Sequence, residues 1–222
     1  MKQKQMILIG CLFLSLAFAV TAFGIETKSE YQVSITNLTR NQTFTPVLVI
    51  VHRAGLTLFK TGSPASTELA MLAEGGDTAP LSDLIQNDPR VDFIASTGGL
   101  LGPGETTSVV IPGMRSINNI SLAAMMIPTN DAFIGLNDAV VAHGSSVTTY
   151  MLSAYDAGTE ENDELCQNIP GPFGCDGTGE GYNSDDGEGF IHIHSGIHGV
   201  GDVAAHEYDW KNSVAKIVIQ KK

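Results

Sequence analysis

Short apolar runs separated by turn residues fill the chain after its first two dozen positions. From Tyr31 to Leu38, Tyr, Val, Ile and Leu alternate with Gln, Ser, Thr and Asn, with one break. That period of two is the mark of a half-buried strand. Pro46 to His52 carries Val-Leu-Val-Ile-Val without alternation, as a central strand buried on both faces does. Thr57 to Lys60 is too short to separate strand from loop. Ser66 to Glu74 then changes character: good helix formers run into Gly75-Gly76, and Ser63 or Ser66 stands where a cap would. Pro80 to Asn87 predicts a second short helix, stopped by Asp88-Pro89. Leu69, Leu72, Leu81, Leu84 and Ile85 would pack these helices onto a sheet edge. The strand pattern returns in Val91–Ser96, Thr106–Ile111, Ile120–Ile127, Ala132–Leu136, Val147–Tyr155, Gly189–His194 and Ser213–Ile219. About nine short strands with turn signals between them predict an all-β fold, an antiparallel β-sandwich with one or two short helices inserted. The one long stretch without periodicity is an acidic loop, 157–189, rich in Gly, Asp, Glu and Asn.

Composition places this fold in a compartment. Hydrophobic residues make up 43% of the chain and charged residues only 16%, so it has the means to bury a core. Residues 1–24 have the layout of a signal peptide: Lys2 and Lys4, an apolar run from Met6 to Val20, and small residues for cleavage at Val20-Thr21-Ala22. The run is short for a membrane span. Cys11, in Leu8-Ile9-Gly10-Cys11, has too little hydrophobic sequence before it for a lipoprotein signal, so lipid anchoring is not expected. The expectation is a secreted chain, periplasmic or extracellular, with 25–222 forming a single domain. Loss of the two leader lysines takes the formal charge from −12 to −14. That charge opposes nucleic acid, and opposes anionic membranes unless calcium bridges the contact. Cys166 and Cys175 remain, and an oxidising compartment predicts a disulfide between them, stabilising by roughly 2–3 kcal/mol.

Charge also has a pattern along the chain. Between Arg115 and Lys211 there is no Lys or Arg, while fifteen Asp and Glu residues fall in the same interval. A solvated surface accommodates this, and so does a bound cation. Asp131 follows Pro128 and Asn130, and Asp156 precedes Ala157-Gly158; each ends a strand-like run beside a turn. Carboxylates fixed in this way suit a hard cation such as calcium, and equally suit turn aspartates bonded to their own backbone. A second group comprises His192, His194, His198 and His206, with Asp202 among them. In a strand His192 and His194 share a face, a spacing that suits zinc or copper and also suits histidines that hydrogen-bond near glycine turns.

Several chemistries find no motif. Asn183 to Glu188 lacks the alternating ligands of a calcium-hand loop. There is no Gly-x-Ser-x-Gly elbow and no Walker glycine loop, and His206-Glu207 does not continue to a second His. An enzyme is not expected from these residues. The alternative is a metalloenzyme or transition-metal-binding protein using His192, His194 and His198.

Two runs together resemble a known family. Pro128-Thr129-Asn130-Asp131-Ala132-Phe133-Ile134-Gly135 is similar to Pro-Ser-Pro-Asp-Trp-Phe-Val-Gly, and Tyr155-Asp156-Ala157-Gly158-Thr159-Glu160 to Tyr-Asp-Ala-Gly-Thr-Asp. Both occur in this order in the spondin domain of F-spondin and mindin. Weaker likenesses lie at Tyr31–Thr36, Leu72–Gly75 and Val214–Ile217, so the resemblance spans Tyr31 to Ile219. It implies a C2-like β-sandwich acting as a non-catalytic adhesion or ligand-binding module, with an extracellular protein or glycan as partner. It also implies a divalent cation, calcium, held by Asp131, by Asp156 and by a Glu of the preceding strand. Here that strand, Thr106 to Pro112, has no acid. Glu105, Asn130, Asn137, Asp138, a carbonyl or water would have to stand in. The family's Trp is Ala132, and the histidine-rich segment resembles the short secreted bacterial members instead.

Overall fold

The computed structural model describes residues 30–113, 119–142, 145–171, 173–175, 179, 181–183 and 187–222. The expected signal peptide, with Cys11, lies outside the described residues. The first elements are β1 (Glu30–Asn37), β2 (Thr43–Phe44), β3 (Leu48–His52), α1 (Thr67–Gly75) and α2 (Ala79–Ile85). There follow β4 (Val91–Ser96), β5 (Thr106–Pro112), β6 (Asn119–Ile127), β7 (Ala132–Val140), β8 (Thr148–Leu152) and β9 (Ala154–Asp156). The last are β10 (His192–Ile193), α3 (Ala205–Tyr208) and β11 (Ala215–Lys221). The strands form two antiparallel sheets. One has the order β5-β1-β11-β8; the other runs β10-β9-β7-β6-β3-β4, with β2 paired to β6.

The all-β sandwich expected from the sequence is the fold observed. Val33, Ile35, Ile217 and Ile219 of the smaller sheet pack against Val49, Val51, Leu122, Ala124 and Ile134 of the larger. Each such side chain, fully buried, stabilises by about 1.5–3 kcal/mol. A second core explains why β3 and β6 are buried along their whole length. Leu48, Ile50, Ala123 and Phe133 point outward from the larger sheet and are covered by Leu69, Leu72, Leu81 and Ile85 of the helices. The helices therefore cover a sheet face, not an edge, and Leu84 is left exposed. Of the two candidate caps of α1, Ser66 serves: its Oγ accepts the Leu69 N–H at 3.2 Å. Gly76 closes the helix in the left-handed conformation that glycine tolerates.

Three sequence expectations are corrected. Val147–Tyr155 is not one strand: it divides at Ser153 into β8, which pairs with β11, and β9, which pairs with β7 in the other sheet. Leu152 and Ala154 are both buried and Ser153 is exposed, so the period of two continues unbroken through the corner. Gly189–His194 is a strand only at His192–Ile193. Eleven strands are found among the described residues.

The break in the alternation of β1 also has its explanation. Asn37 occupies an inward position and is fully buried. Its amide donates to Gln42 O at 2.7 Å and Leu101 O at 3.0 Å, and its Oδ1 accepts from Thr39 N and Thr39 Oγ1. Truncation removes bonds to the 39–42 loop and to Leu101 at once. Asn37→Ala is expected to lower unfolding free energy by about 2–4 kcal/mol. A urea midpoint within error of the wild type would contradict that account.

Candidate metal centre

Sheet register brings the two aspartates together. Asp156, the last residue of β9, lies opposite Ala132, the first residue of β7, and Asp131 immediately precedes it. On its other side Asp156 lies opposite His192 of β10. Directly opposed residues of an antiparallel pair project to the same face. Asp156 also keeps the inward phase of Leu152 and Ala154, which buries its carboxylate. Asp131 and Asp156 have 0% and 1% exposure.

The hydrogen bonds of this pair are unequal. Asp156 Oδ1 accepts the Gly158 N–H at 2.8 Å, and Oδ2 accepts from the Asn162 amide at 2.8 Å. Asp131 Oδ2 accepts from Thr159 N at 2.9 Å, Glu160 N at 3.3 Å and Thr159 Oγ1 at 3.4 Å. Asp131 Oδ1, equally buried, has no partner. Burial, then the charge of Asp156, pushes the Asp131 carboxyl up to about 8 against its backbone donors. Burial likewise raises Asp156, offset in part by Asn162 and His192, while Glu188 adds to the rise. Glu160 is 3% exposed and neither of its oxygens has a hydrogen bond of ordinary geometry. Burial pushes it up to about 8; the nearby Asn130 amide pulls it back only in part, and the charges of Glu74, Asp131 and Asp163 push it further. A buried carboxylate with neither donors nor a counter-charge is costly unless protonated or neutralised.

Around Asp156 stands a set of ligand atoms. One atom each from Asp156, Glu188 and His192 lie within 4.8 Å of one another. His192 Nε2 is 3.5 Å from Asp156 Oδ1 and 3.9 Å from Glu188 Oε2. His192 Nδ1 lies 3.0 Å from the Ile193 carbonyl, an acceptor only, so Nδ1 carries the hydrogen. Burial alone would lower the pKa of this imidazole, but the Ile193 carbonyl, Asp156 and Glu188 together raise it.

His194 is placed differently. Its Nδ1 accepts the Gly196 N–H at 3.0 Å, so Nε2 is the donor, 3.1 Å from Asn162 Oδ1 and 3.8 Å from Asp156 Oδ2. Burial, together with the charges of His192 and His198, lowers its pKa to about 4. Both nitrogens are committed to fixing Asn162 and the turn at Gly196. His198 is exposed and meets this region through its backbone N–H, which donates to Glu164.

The remaining candidates lie apart from the ligand set. Glu105 bonds Gly102 N in an exposed turn. Asn130 is used at both ends, donating to Asp163 Oδ1 and accepting from Glu164 N. Asn137 bonds Leu58 N and Phe59 O. Asp138, at the far end of β7, accepts from Gly55 N and the Asn119 amide. Cys166 and Cys175 form a disulfide within the acidic loop, as expected from the sequence.

Glu160 and Glu188 lie close enough to the two aspartates to act on them electrostatically, and neither is among the candidates the sequence suggests. Glu160 was visible as the last residue of the Tyr155–Glu160 run. Glu188 carried no local signal, because it reaches Asp156 only when the loop folds back along β9. The Spondin_N family model matches residues 18–165, which include Asp131, Asp156 and Glu160 and leave out Glu188 and His192. No curated protein matches the chain.

Proposed function

We propose, from the premise that this chain belongs to the Spondin_N family, that it is a non-catalytic extracellular binding module whose acidic end is held together by a divalent cation. Modules of this family are in general non-enzymatic and extracellular, and a disulfide accords with that compartment. The carrying observation is Asp131 Oδ1: a carboxylate oxygen buried without a partner, beside a second buried carboxylate and with Glu188 adding to the negative field. The donor set fits a cation. Asp131 and Asp156 supply the first ligands, and calcium is the ion that the family resemblance implies. The cation would neutralise the pair and fix the turn between β6 and β7 against the acidic loop. The partner we infer is an extracellular protein or glycan, since the net charge of −12 opposes nucleic acid and anionic lipid.

The test is thermal unfolding of the full chain after EDTA treatment, with calcium, magnesium, manganese or zinc added back. An ion at 100 times its Kd stabilises by about 2.7 kcal/mol, or about 5–10 °C in Tm for a chain of this size. Asp131→Asn should abolish the cation response and raise Tm in EDTA, because it removes an uncompensated buried charge. Identical Tm values with and without every one of these ions would overturn the reading.

A further inference from the structure

We propose that Asp156, Glu188 and His192 Nε2, with the free Oδ1 of Asp131 beside them, form a mixed nitrogen–oxygen site that selects zinc over calcium. This deepens the cation reading above and rests on it.

Four observations carry the assignment. The tautomer of His192 is fixed: Nδ1–H donates to the Ile193 carbonyl, so the free imidazole presents the Nε2 lone pair to Asp156 and Glu188. A ligating histidine characteristically donates its other ring N–H to a carbonyl or carboxylate, which orients the ring and raises its basicity. Spacing fits as well. Ligand atoms about 2.1 Å from a tetrahedral ion stand about 3.4 Å apart, and Nε2 lies 3.5 and 3.9 Å from the two carboxylate oxygens. The Asp156 carboxylate is oriented by Gly158 N–H and by Asn162, and Asn162 is oriented in turn by His194. His194 is thus a positioning residue. Finally, Asp131 stands beside this set with its Oδ1 fully buried and unpartnered, and its charge acts together with those of Asp156 and Glu188 on His192.

Ligand chemistry decides the ion. Calcium takes oxygen ligands, six to eight of them as a rule, and gains little from an imidazole nitrogen. Imidazole with carboxylates suits a first-row transition dication, and zinc stands near the top of the affinity order. The acid absent from β5 is thus replaced by Glu188 and His192, which come from a different part of the chain.

The experiment uses the full chain stripped of metal with EDTA. Calorimetric titrations with zinc chloride and calcium chloride give the two affinities, and cobalt chloride gives a visible spectrum that reports nitrogen ligation. We expect one zinc per chain, bound at least about 100-fold tighter than calcium. His192→Ala should weaken zinc by about 100-fold, the upper range for losing even an outer-shell partner, change the cobalt bands, and leave calcium nearly unaltered. His192 is 29% exposed in a two-residue edge strand, so its removal should spare the fold, which circular dichroism checks. Calcium binding as tightly as zinc overturns this inference while leaving the cation reading intact. So does zinc affinity that survives His192→Ala and falls in His198→Ala. Absence of binding by either ion overturns both.

Discussion

Glu164→Ala should unfold at a markedly lower urea concentration than the wild type, with a loss of about 4 kcal/mol. The Glu164 carboxylate is 3% exposed and accepts three successive backbone N–H groups: His198 at 2.5 Å, Gly199 at 2.6 Å and Val200 at 2.9 Å. Bonds to a charged acceptor contribute about 1.5–3 kcal/mol each, at the low end here because His198, Gly199 and Val200 lie at the surface. The backbone of Glu164 makes further links. Its N–H donates to Asn130 Oδ1, and its carbonyl accepts from Asp202 N and Val203 N. These links survive the substitution, so the change isolates the carboxylate. The residue also sits at φ 57°, where a side chain other than glycine's is disfavoured. Glu164→Gln keeps one acceptor but turns an amide toward the donors, and should lose about half as much. A loss below about 1 kcal/mol for the alanine variant would mean that water replaces the carboxylate without penalty.

The second large effect is on pH. Metal-stripped protein should lose stability as pH rises from about 4.5 toward 8. Asp131 and Glu160 are both pushed up to about 8 in the folded chain, from ordinary values of 3.8 and 4.5. Between those limits the folded state binds protons that the unfolded state has released. Stability therefore falls with rising pH through this window, the reverse of a salt-bridged carboxylate. His194 acts in the opposite sense. Its pKa falls from 6.5 to about 4, so its contribution is present above pH 6.5 and is lost as pH falls toward 4. Saturating cation should reduce the alkaline limb and leave the contribution of His194 in place, and Asp131→Asn should reduce the limb without any ion, Glu160 still contributing. Chemical denaturation from pH 4 to 9, with EDTA and with metal, measures both. An alkaline limb unchanged by metal would show that these carboxylates do not face the ion.

Glu164 and Asp131 show what the acidic character of this region could and could not reveal. Both contribute to the run of acids without Lys or Arg, and composition treats them alike. In the fold Glu164 is satisfied by backbone donors, Asp163 by Asn130, Leu165 and Asn168, and Asp202 by Cys166 N. Asp131 Oδ1 and Glu160 have no such donors. Among the described acids, charge repulsion is therefore resolved at several by hydrogen bonds, and Asp131 and Glu160 are left for a cation or a proton.

Local chemistry was enough to determine much of the architecture. The period of two marked β1, the unbroken apolar run marked β3 as covered on both faces, and Ser66 and Gly76 bounded α1, because burial phase, propensity and capping are properties of neighbouring residues. The same locality placed Asp131 and Asp156 at strand ends beside turns. Tertiary structure decided what neighbours cannot. The alternation through Tyr150, Leu152, Ala154 and Asp156 runs on while the chain changes sheets, since period reports which side is buried and not which strand is the partner. Pairing of β9 with both β7 and β10 then sets Asp156 between Ala132 and His192 and draws in Glu188, at separations no spacing rule covers. Which imidazole nitrogen is free, and which carboxylate oxygen lacks a donor, follows from bonds made after that pairing. These determine whether the acids form a turn or a metal site.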